Sequence, residues 1–224
     1  MTFSIVARCT RTDQLGMAVS SSSPAVAARC AHAKAGVGVV ASQNITDPRL
    51  GPKTLLAMAE GHSAPEAVKM IINASKNADF RQLLAVDARG NAAIYSGSKS
   101  LGTHADFASH NAAAAGNLLA NPNIPEAMVT AFHQGTGHLG DRLIDAMRAA
   151  LALGGEAGAL HSAGLLLVGE QEWPMADLRC DWTEDCPIEA VAAAWNIYKP
   201  QMDDYIVRAL DPAKAPQYGV PGDE

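Results

Sequence analysis

The chain has 224 residues, a formal net charge of -6 and 48% hydrophobic residues, which is enough apolar content for one compact domain with a full core. Its basic residues are scattered along the chain, so the sequence argues against nucleic acid or an anionic membrane surface as a partner. No segment reaches the roughly 20 apolar residues that span a bilayer, and the N-terminus lacks a secretory pattern. We expect a cytoplasmic protein with one domain over residues 1–212 and a C-terminal tail over residues 213–224.

The first third of the chain predicts strands followed by a pair of helices. β-Branched and aromatic residues at 2–7, turn residues after them and an apolar stretch at 17–19 predict a β-hairpin, and residues 36–42 predict a third strand. Residues 52–62 and 64–74 have helical periodicity. The second of these helices begins with the capping box formed by Ser63 and Glu66.

The rest of the chain predicts more strands and helices in separate groups. Residues 82–87 and 92–96 flank a turn, residues 98–111 are polar and predict a loop, and a strand begins at Ala114. Helices are expected at 125–134 and 139–153, strands at 162–168 and 174–180, and one long helix at 187–210. This grouping favours antiparallel sheets with helices outside them.

Motifs for metals and cofactors are missing from the sequence. The seven histidines include no H-E-x-x-H pattern, and the spacings of the four cysteines match no zinc site. No strand is followed by a phosphate-binding glycine motif. We expect neither a metal nor a cofactor.

Several segments taken together resemble the family called domain of unknown function 1028. They lie, in order, at residues 1–8, 15–21, 33–44, 47–52, 116–120, 154–156, 162–168 and 177–179. The resemblance implies an α+β fold, a four-layer αββα sandwich of antiparallel sheets of the N-terminal nucleophile (Ntn) hydrolase type. It implies no particular substrate.

What this fold implies for chemistry centres on Thr2. In Ntn enzymes the first residue of the mature chain is the nucleophile and its own α-amine is the base, so removal of Met1 would give Thr2 this role. The resemblance suggests Lys34 as the cation that keeps the amine neutral. Asn117 and Asn44 are the candidate donors to the oxyanion. The implied function is hydrolysis of a C–N amide bond in a small molecule or peptide.

Further polar residues in the family-like segments are candidates for binding the substrate: Ser21, Ser22, Gln43, His104, Glu156, Asp177 and Arg179. The chain also departs from the family at one point. Many relatives have a Ser-Arg-Phe-like segment after the second strand, whereas this chain has serines at 21–23. An arginine that would hold an anionic substrate is therefore missing there.

Each candidate also has a purely structural explanation. Thr2 suits a strand because it is β-branched, Lys34 suits a solvated loop, and the two asparagines suit strand ends where they bond backbone groups. The alternative function is a non-catalytic binding or assembly protein that keeps the Ntn fold. In either case we expect a homodimer or a higher homo-oligomer.

Overall fold

The structure is a computed structural model that describes residues 2–220. Its strands are β1 (Thr2–Arg8), β2 (Leu15–Ser21), β3 (Ala31–Lys34), β4 (Gly38–Asn44), β5 (Arg81–Asp87), β6 (Ala92–Ser96), β7 (Ala105–Ser109), β8 (Ala112–Asn117), β9 (Ser162–Val168) and β10 (Ala176–Cys180). Its α-helices are α1 (Val26–Cys30), α2 (Leu50–Ala59), α3 (Ala64–Asn73), α4 (Ile124–Gln134), α5 (Leu139–Ala152), α6 (Pro187–Tyr198) and α7 (Met202–Leu210). Within residues 2–220, no helix is long and apolar enough to cross a membrane.

The strands form two sheets that pack face to face. The larger sheet has the order β10-β9-β2-β1-β8-β7 and the smaller one the order β3-β4-β5-β6, and neighbouring strands are antiparallel. Helices α4, α5 and α6 cover the outer face of the larger sheet, and α2 and α3 cover that of the smaller sheet. The predicted four-layer αββα sandwich is thereby confirmed.

Alternation along β1 decides which of its side chains lie between the sheets. Val6 belongs to the apolar cluster that joins the two sheets, whereas Ile5 belongs to the cluster beneath the helices. Since side chains two residues apart point to the same face of a strand, Ser4 and Thr2 share the inner face with Val6. The first residue of β1 therefore directs its side chain into the space between the sheets.

The alanines at 112–115 make up most of β8 and are fully buried. Ala113 and Ala115 join the apolar cluster between the sheets, and Ala112 and Ala114 join the cluster under the helices. Small side chains on both faces let the neighbouring layers approach closely, as the composition predicted.

The structure corrects three predicted elements. The long helix expected over residues 187–210 is two helices, because Pro200, which has no backbone N–H, lies in the 3-10 turn between α6 and α7. The loop expected over residues 98–111 contains β7, an edge strand whose residues are mostly exposed and show no apolar alternation. The short elements α1 and β3 were not predicted, and the strand predicted at 36–42 is β4.

The predicted tail contacts the last helix over its described part. The Arg208 guanidinium lies 3.8 Å from the centre of the Tyr218 ring and donates a hydrogen bond of 2.9 Å to the carbonyl oxygen of Pro216. Residues 221–224 of the predicted tail lie outside the described residues. The boundary between domain and tail stays a prediction.

Candidate functional site

A row of four polar side chains crosses the larger sheet at the end where β1 begins. Thr2 pairs with Asn117 on β8, and Ser21 at the end of β2 pairs with Ser162 on β9. Thr2 Oγ1 donates to Ser21 Oγ at 3.3 Å, which links the two pairs. All four residues are buried, Thr2 with 4% of its surface exposed. The antiparallel register thus brings Thr2, Ser21 and Asn117, three predicted site residues, into one line.

A hydrogen-bond relay leads from Ser21 to a cation that the sequence analysis did not select. Ser23 Oγ lies 2.8 Å from Ser21 Oγ, and Arg29 Nη2 donates to Ser23 Oγ at 2.5 Å. Arg29 Nη1 donates to the carbonyl oxygens of Pro24 and Ala25 at 2.6 and 3.0 Å. The short helix α1 turns the chain back toward β2, so the guanidinium of Arg29 lies beside these serines. The serine segment itself has no arginine, but Arg29 supplies one from α1.

Glu156 adds a buried carboxyl group to the same end of the sheet. Its backbone forms an isolated β-bridge with Leu119, and its Oε2 accepts a hydrogen bond of 3.2 Å from the backbone N–H of Ser22. Burial raises the pKa of Glu156 to about 7, although the positive charge of the N-terminal amine and the hydrogen bonds from Ser22 favour its ionised form. Its Oε1 is buried and has no hydrogen-bond partner among the described residues. This carboxyl group titrates near neutral pH.

Two glutamines of the smaller sheet face the polar row across the space between the sheets. Gln43 Oε1 accepts a bond of 2.6 Å from Ser4 Oγ, and Gln43 Nε2 donates to the backbone oxygen of Ala115 at 3.1 Å. Gln43 Nε2 also donates to Gln82 Oε1 at 2.8 Å. Gln43, a predicted substrate-binding residue, is fully buried and serves to bridge the two sheets.

The second glutamine fixes the orientation of Asn117. Gln82 Nε2 donates to the backbone oxygen of Gly116 at 3.2 Å. Because a carbonyl oxygen only accepts, the Gln82 nitrogen must face Gly116, and Gln82 Oε1 faces Asn117. Asn117 Nδ2 donates to that Oε1 at 3.3 Å. Asn117 Oδ1 is left as a buried acceptor without a hydrogen-bond partner in residues 2–220. The side-chain amide of Asn117 has two N–H groups, and one of them does not take part in the bond to Gln82.

Lys34 is not brought to this end of the sheet. It is exposed and pairs with Gly38 at the start of β4, whereas Gln43 beside the polar row lies five residues further along that strand. Five residues of an extended strand span about 16 Å. This placement does not fit the predicted role of Lys34 as the cation beside the Thr2 amine, and it agrees with the solvated-lysine alternative.

Asn44 lies at the same end as the row but binds backbone groups. Its backbone has a φ of 70°, its Nδ2 donates to the carbonyl oxygen of Phe80 at 2.7 Å, and its Oδ1 accepts from the N–H of Leu101 at 3.2 Å. Asn44 therefore joins two loops, as the structural alternative anticipated.

The remaining predicted residues lie around the periphery. His104 is exposed in the loop before β7, with Nδ1 3.2 Å from the carbonyl oxygen of Gly102. Asp177 and Arg179 form a two-bond ion pair of 2.9 and 2.8 Å on β10, the edge strand separated from β1 by β9 and β2. The structure does not bring these three residues into the polar row.

Sequence reasoning missed Arg29, Gln82 and Ser162. Ser162 begins the apolar run that predicts β9, so the local sequence marks it only as the start of a strand. Alternation in the two strands that carry Gln82 and Ser162 would have placed both on inner faces. Nothing in the local sequence distinguishes Arg29 from the other scattered basic residues, because its contacts depend on the turn into α1.

Comparison with known proteins places this geometry in a family. Residues 2–191 match the model described as Family of unknown function (DUF1028). The structure is similar to that of protein SPO2555 from Silicibacter pomeroyi, a DUF1028 protein, with 29% identity, a TM-score of 0.82, and coverage of 88% of this chain and 89% of that one.

Weaker similarities link the chain to two structures of Anbu. One is Anbu (ancestral beta-subunit) from Yersinia bercovieri, with 10% identity, a TM-score of 0.41, and coverage of 89% of this chain and 96% of that one. The other is an Anbu (Gly-1) mutant from Hyphomicrobium sp. strain MC1, with 10% identity, a TM-score of 0.44, and coverage of 90% and 96%. No curated protein matches the chain. The match over residues 2–191, which bears out the resemblance seen in the sequence motifs, shows that the chain belongs to the DUF1028 family.

Proposed function

We propose that the protein is an Ntn-type amidohydrolase in which Thr2 becomes the nucleophile once the Met1–Thr2 peptide bond has been cleaved. The observation that carries the proposal is the position of Thr2. It is the first described residue of a central strand, and its hydroxyl lies on the inner face beside Ser21, in line with Asn117. An α-amine freed at this point would belong to the same residue as the hydroxyl, which is the arrangement that Ntn chemistry requires.

The reaction would proceed in two steps. The neutral form of the Thr2 α-amine takes the hydroxyl proton while Oγ1 bonds to the carbonyl carbon of the amide; α-amines in general have a pKa of about 7.7 to 8.0, so neutral amine is accessible near neutral pH. The C–N bond then breaks, and the amine product leaves with that proton. Water hydrolyses the resulting ester, which releases the acid and restores Thr2.

The surrounding residues supply support for these steps. Ser21 accepts the hydrogen bond that orients the Thr2 hydroxyl. Arg29, acting through Ser23, is the fixed positive charge at this end of the sheet, in place of Lys34. The N–H of Asn117 that is not bonded to Gln82 is the candidate donor to the oxyanion.

The nucleophile can be tested on protein made without an N-terminal tag. We expect its mass to show loss of Met1, and a threonine-directed electrophile to add to Thr2. Thr2→Ser should keep the adduct, whereas Thr2→Ala should lose both the adduct and hydrolysis of amides and N-acyl amino acids. Thr54→Ala, which removes a buried hydroxyl in α2, is the matched control and should react like the unchanged protein.

Two results would contradict the proposal. One is full retention of Met1 in protein that hydrolyses an amide. The other is a Thr2→Ala chain that keeps every activity found, which would favour a binding or assembly role instead.

A further inference from the structure

The carboxylate of Glu156 lies at the same end of the larger sheet as Thr2. In the sheet, β1 lies between β8 and β2. The Glu156 backbone pairs with Leu119, two residues beyond Asn117 on the β8 side, and its carboxylate reaches Ser22, one residue beyond the end of β2. The carboxylate is therefore attached beside the end of β8 and bonded beside the end of β2, the two strands that flank Thr2 on β1.

One oxygen of this carboxylate lacks a partner. Glu156 is 4% exposed, and while Ser22 satisfies Oε2, Oε1 is a buried acceptor with no hydrogen bond among the described residues. A buried acceptor left without a donor costs about 1 to 3 kcal/mol, and more when the group is charged. A positively charged donor small enough to fit at the end of a strand would satisfy this acceptor.

We propose that Glu156 Oε1 receives the α-amine of Thr2 when the Met1–Thr2 bond has been cleaved. Glu156 is then a positioning residue: it holds the amine at the end of β1 and sets the proportion of amine that is protonated. This inference rests on the proposed function only in requiring Thr2 to become the N-terminal residue. It does not require that an amide be hydrolysed.

The neighbouring charges leave this role to Glu156. His161, whose backbone N–H donates to the carbonyl oxygen of Ser21 at 2.9 Å, is the titratable side chain before β9, and its charge favours the ionised form of Glu156. Arg29 on α1 is bound to Ser23. Glu184, whose carboxylate lies 3.8 Å from His161 Nδ1, has a side chain that is 78% exposed, so among these neighbours Glu156 is the buried anion available to an ammonium group.

The pairing has a consequence for protonation. The pKa of Glu156, about 7 with its burial, lies close to the ordinary pKa of an α-amine, about 7.7 to 8.0. An adjacent carboxylate stabilises the ammonium form, so the pKa of the Thr2 amine should lie above its ordinary value, and that of Glu156 should fall. Two groups this close in pKa titrate as a pair near neutral pH.

The first experiment measures the amine directly. A chain with Thr2 at its N-terminus is prepared by cleaving an N-terminal fusion, and the rate at which a small acylating reagent modifies the α-amine is followed by peptide mass across pH 5 to 10. Glu156→Gln should acylate about tenfold faster at pH 7 than the unchanged chain, which corresponds to a fall of about one unit in the amine pKa. Glu126→Gln, the same change on α4, is the control and should not differ from the unchanged chain.

A second measurement avoids substitution and covers the case in which Glu156→Gln does not fold. The side-chain carboxyl of Glu156 is titrated by carbon NMR in a chain that retains Met1 with its α-amine acetylated and in the chain that begins at Thr2. We expect its pKa to be lower in the chain that begins at Thr2.

The inference is overturned if the carboxyl titrates identically in both chains, or if Glu156→Gln and Glu126→Gln give the same acylation profile while mass confirms Thr2 at the N-terminus. A shifted amine in a chain that hydrolyses no amide supports the pairing and counts against the proposed function alone. The two proposals are thus separable.

Discussion

At the scale of single residues, the site depends on which atom of each buried amide is already bonded. Two backbone oxygens, those of Ala115 and Gly116, orient Gln43 and Gln82, and Gln82 in turn orients Asn117. The chain of bonds leaves a single acceptor, Asn117 Oδ1, without a partner among the described residues. A glutamine buried between two sheets therefore determines what the polar row can offer to a substrate.

Removing that glutamine should be costly. Gln82→Leu would leave Asn117 Nδ2 and the backbone oxygen of Gly116 buried without their partners, so we expect the free energy of unfolding to fall by about 3 kcal/mol. Urea denaturation measures the change. Gln134→Leu, at the exposed end of α4, is the control and should stay within about 0.5 kcal/mol of the unchanged protein. A loss below about 1 kcal/mol for Gln82→Leu would mean that the network contributes little.

Glu156 should make stability depend on pH. Burial raises the pKa of Glu156 in the folded chain to about 7, whereas the pKa of a glutamate in an unfolded chain is about 4.3. Between these values the folded chain holds a proton that the unfolded chain has released. The stabilisation is thus fully present below about pH 4.3 and is lost as pH rises to about 7, by roughly 4 kcal/mol.

Urea denaturation of the chain that retains Met1, at pH 5 and pH 8, tests this dependence. Glu156→Gln resembles the protonated acid, so its stability relative to the unchanged protein should rise by about 2 kcal/mol or more between the two pH values. Glu126→Gln should show no such rise. If the free energy of unfolding changes by the same amount between pH 5 and pH 8 in all three proteins, the pKa of Glu156 is not raised.

At the scale of elements, the five-residue helix α1 positions the cation of the site. It begins after Ala25, whose backbone has a left-handed φ of 50°, and the N–H of Val26 donates to Ser162 Oγ at 3.2 Å. A Cβ added at Gly164 on β9 would lie 2.5 Å from Ala27 Cβ, so the glycine is what allows the helix to rest on the sheet. A helix this short is held by tertiary contacts, not by propensity.

Gly164→Ala should therefore displace α1. We expect a loss of about 1 to 3 kcal/mol in the free energy of unfolding from overpacking, measured by urea denaturation. Adding Ala27→Gly removes the clashing atom, at a cost of about 1 kcal/mol for glycine in a helix. A double-mutant cycle should then show a favourable coupling of at least about 1 kcal/mol, whereas strictly additive losses would contradict a direct contact.

At the scale of the whole molecule, exposed apolar side chains are spread over the described residues, and the C-terminal helices carry two of the most exposed ones. Ile197 on α6 is 70% exposed and Leu210 on α7 is 59% exposed. Most soluble oligomers are symmetric homo-oligomers, in which such side chains can become buried between subunits. We expect the protein to sediment as a homodimer or a larger assembly of the 23.3 kDa chain. Analytical ultracentrifugation tests this, and a single species at monomer mass from micromolar to near-millimolar concentration would contradict it.

The layers of the fold and the position of Thr2 follow from the amino-acid sequence alone. Period-two alternation, capping residues and glycine-containing turns are local signals, so most strands and helices and the family were readable from them. Edge strand β7 and the short α1 were missed because neither carries an apolar period, and the helix over 187–210 was overextended because one proline was outweighed by its periodic flanks.

Contacts between the polar residues, by contrast, depend on the three-dimensional fold. Ser162 and Gln82 reach the row through strand pairing and sheet packing between distant segments, and Arg29 reaches it through a turn held by such contacts. Lys34 was chosen from its place along the chain, but antiparallel pairing reverses the direction of β3 relative to β4 and carries it to the far end of the sheet. Register and packing join residues that are remote in sequence, and for this reason spacing along the chain could identify Thr2 but not its neighbours.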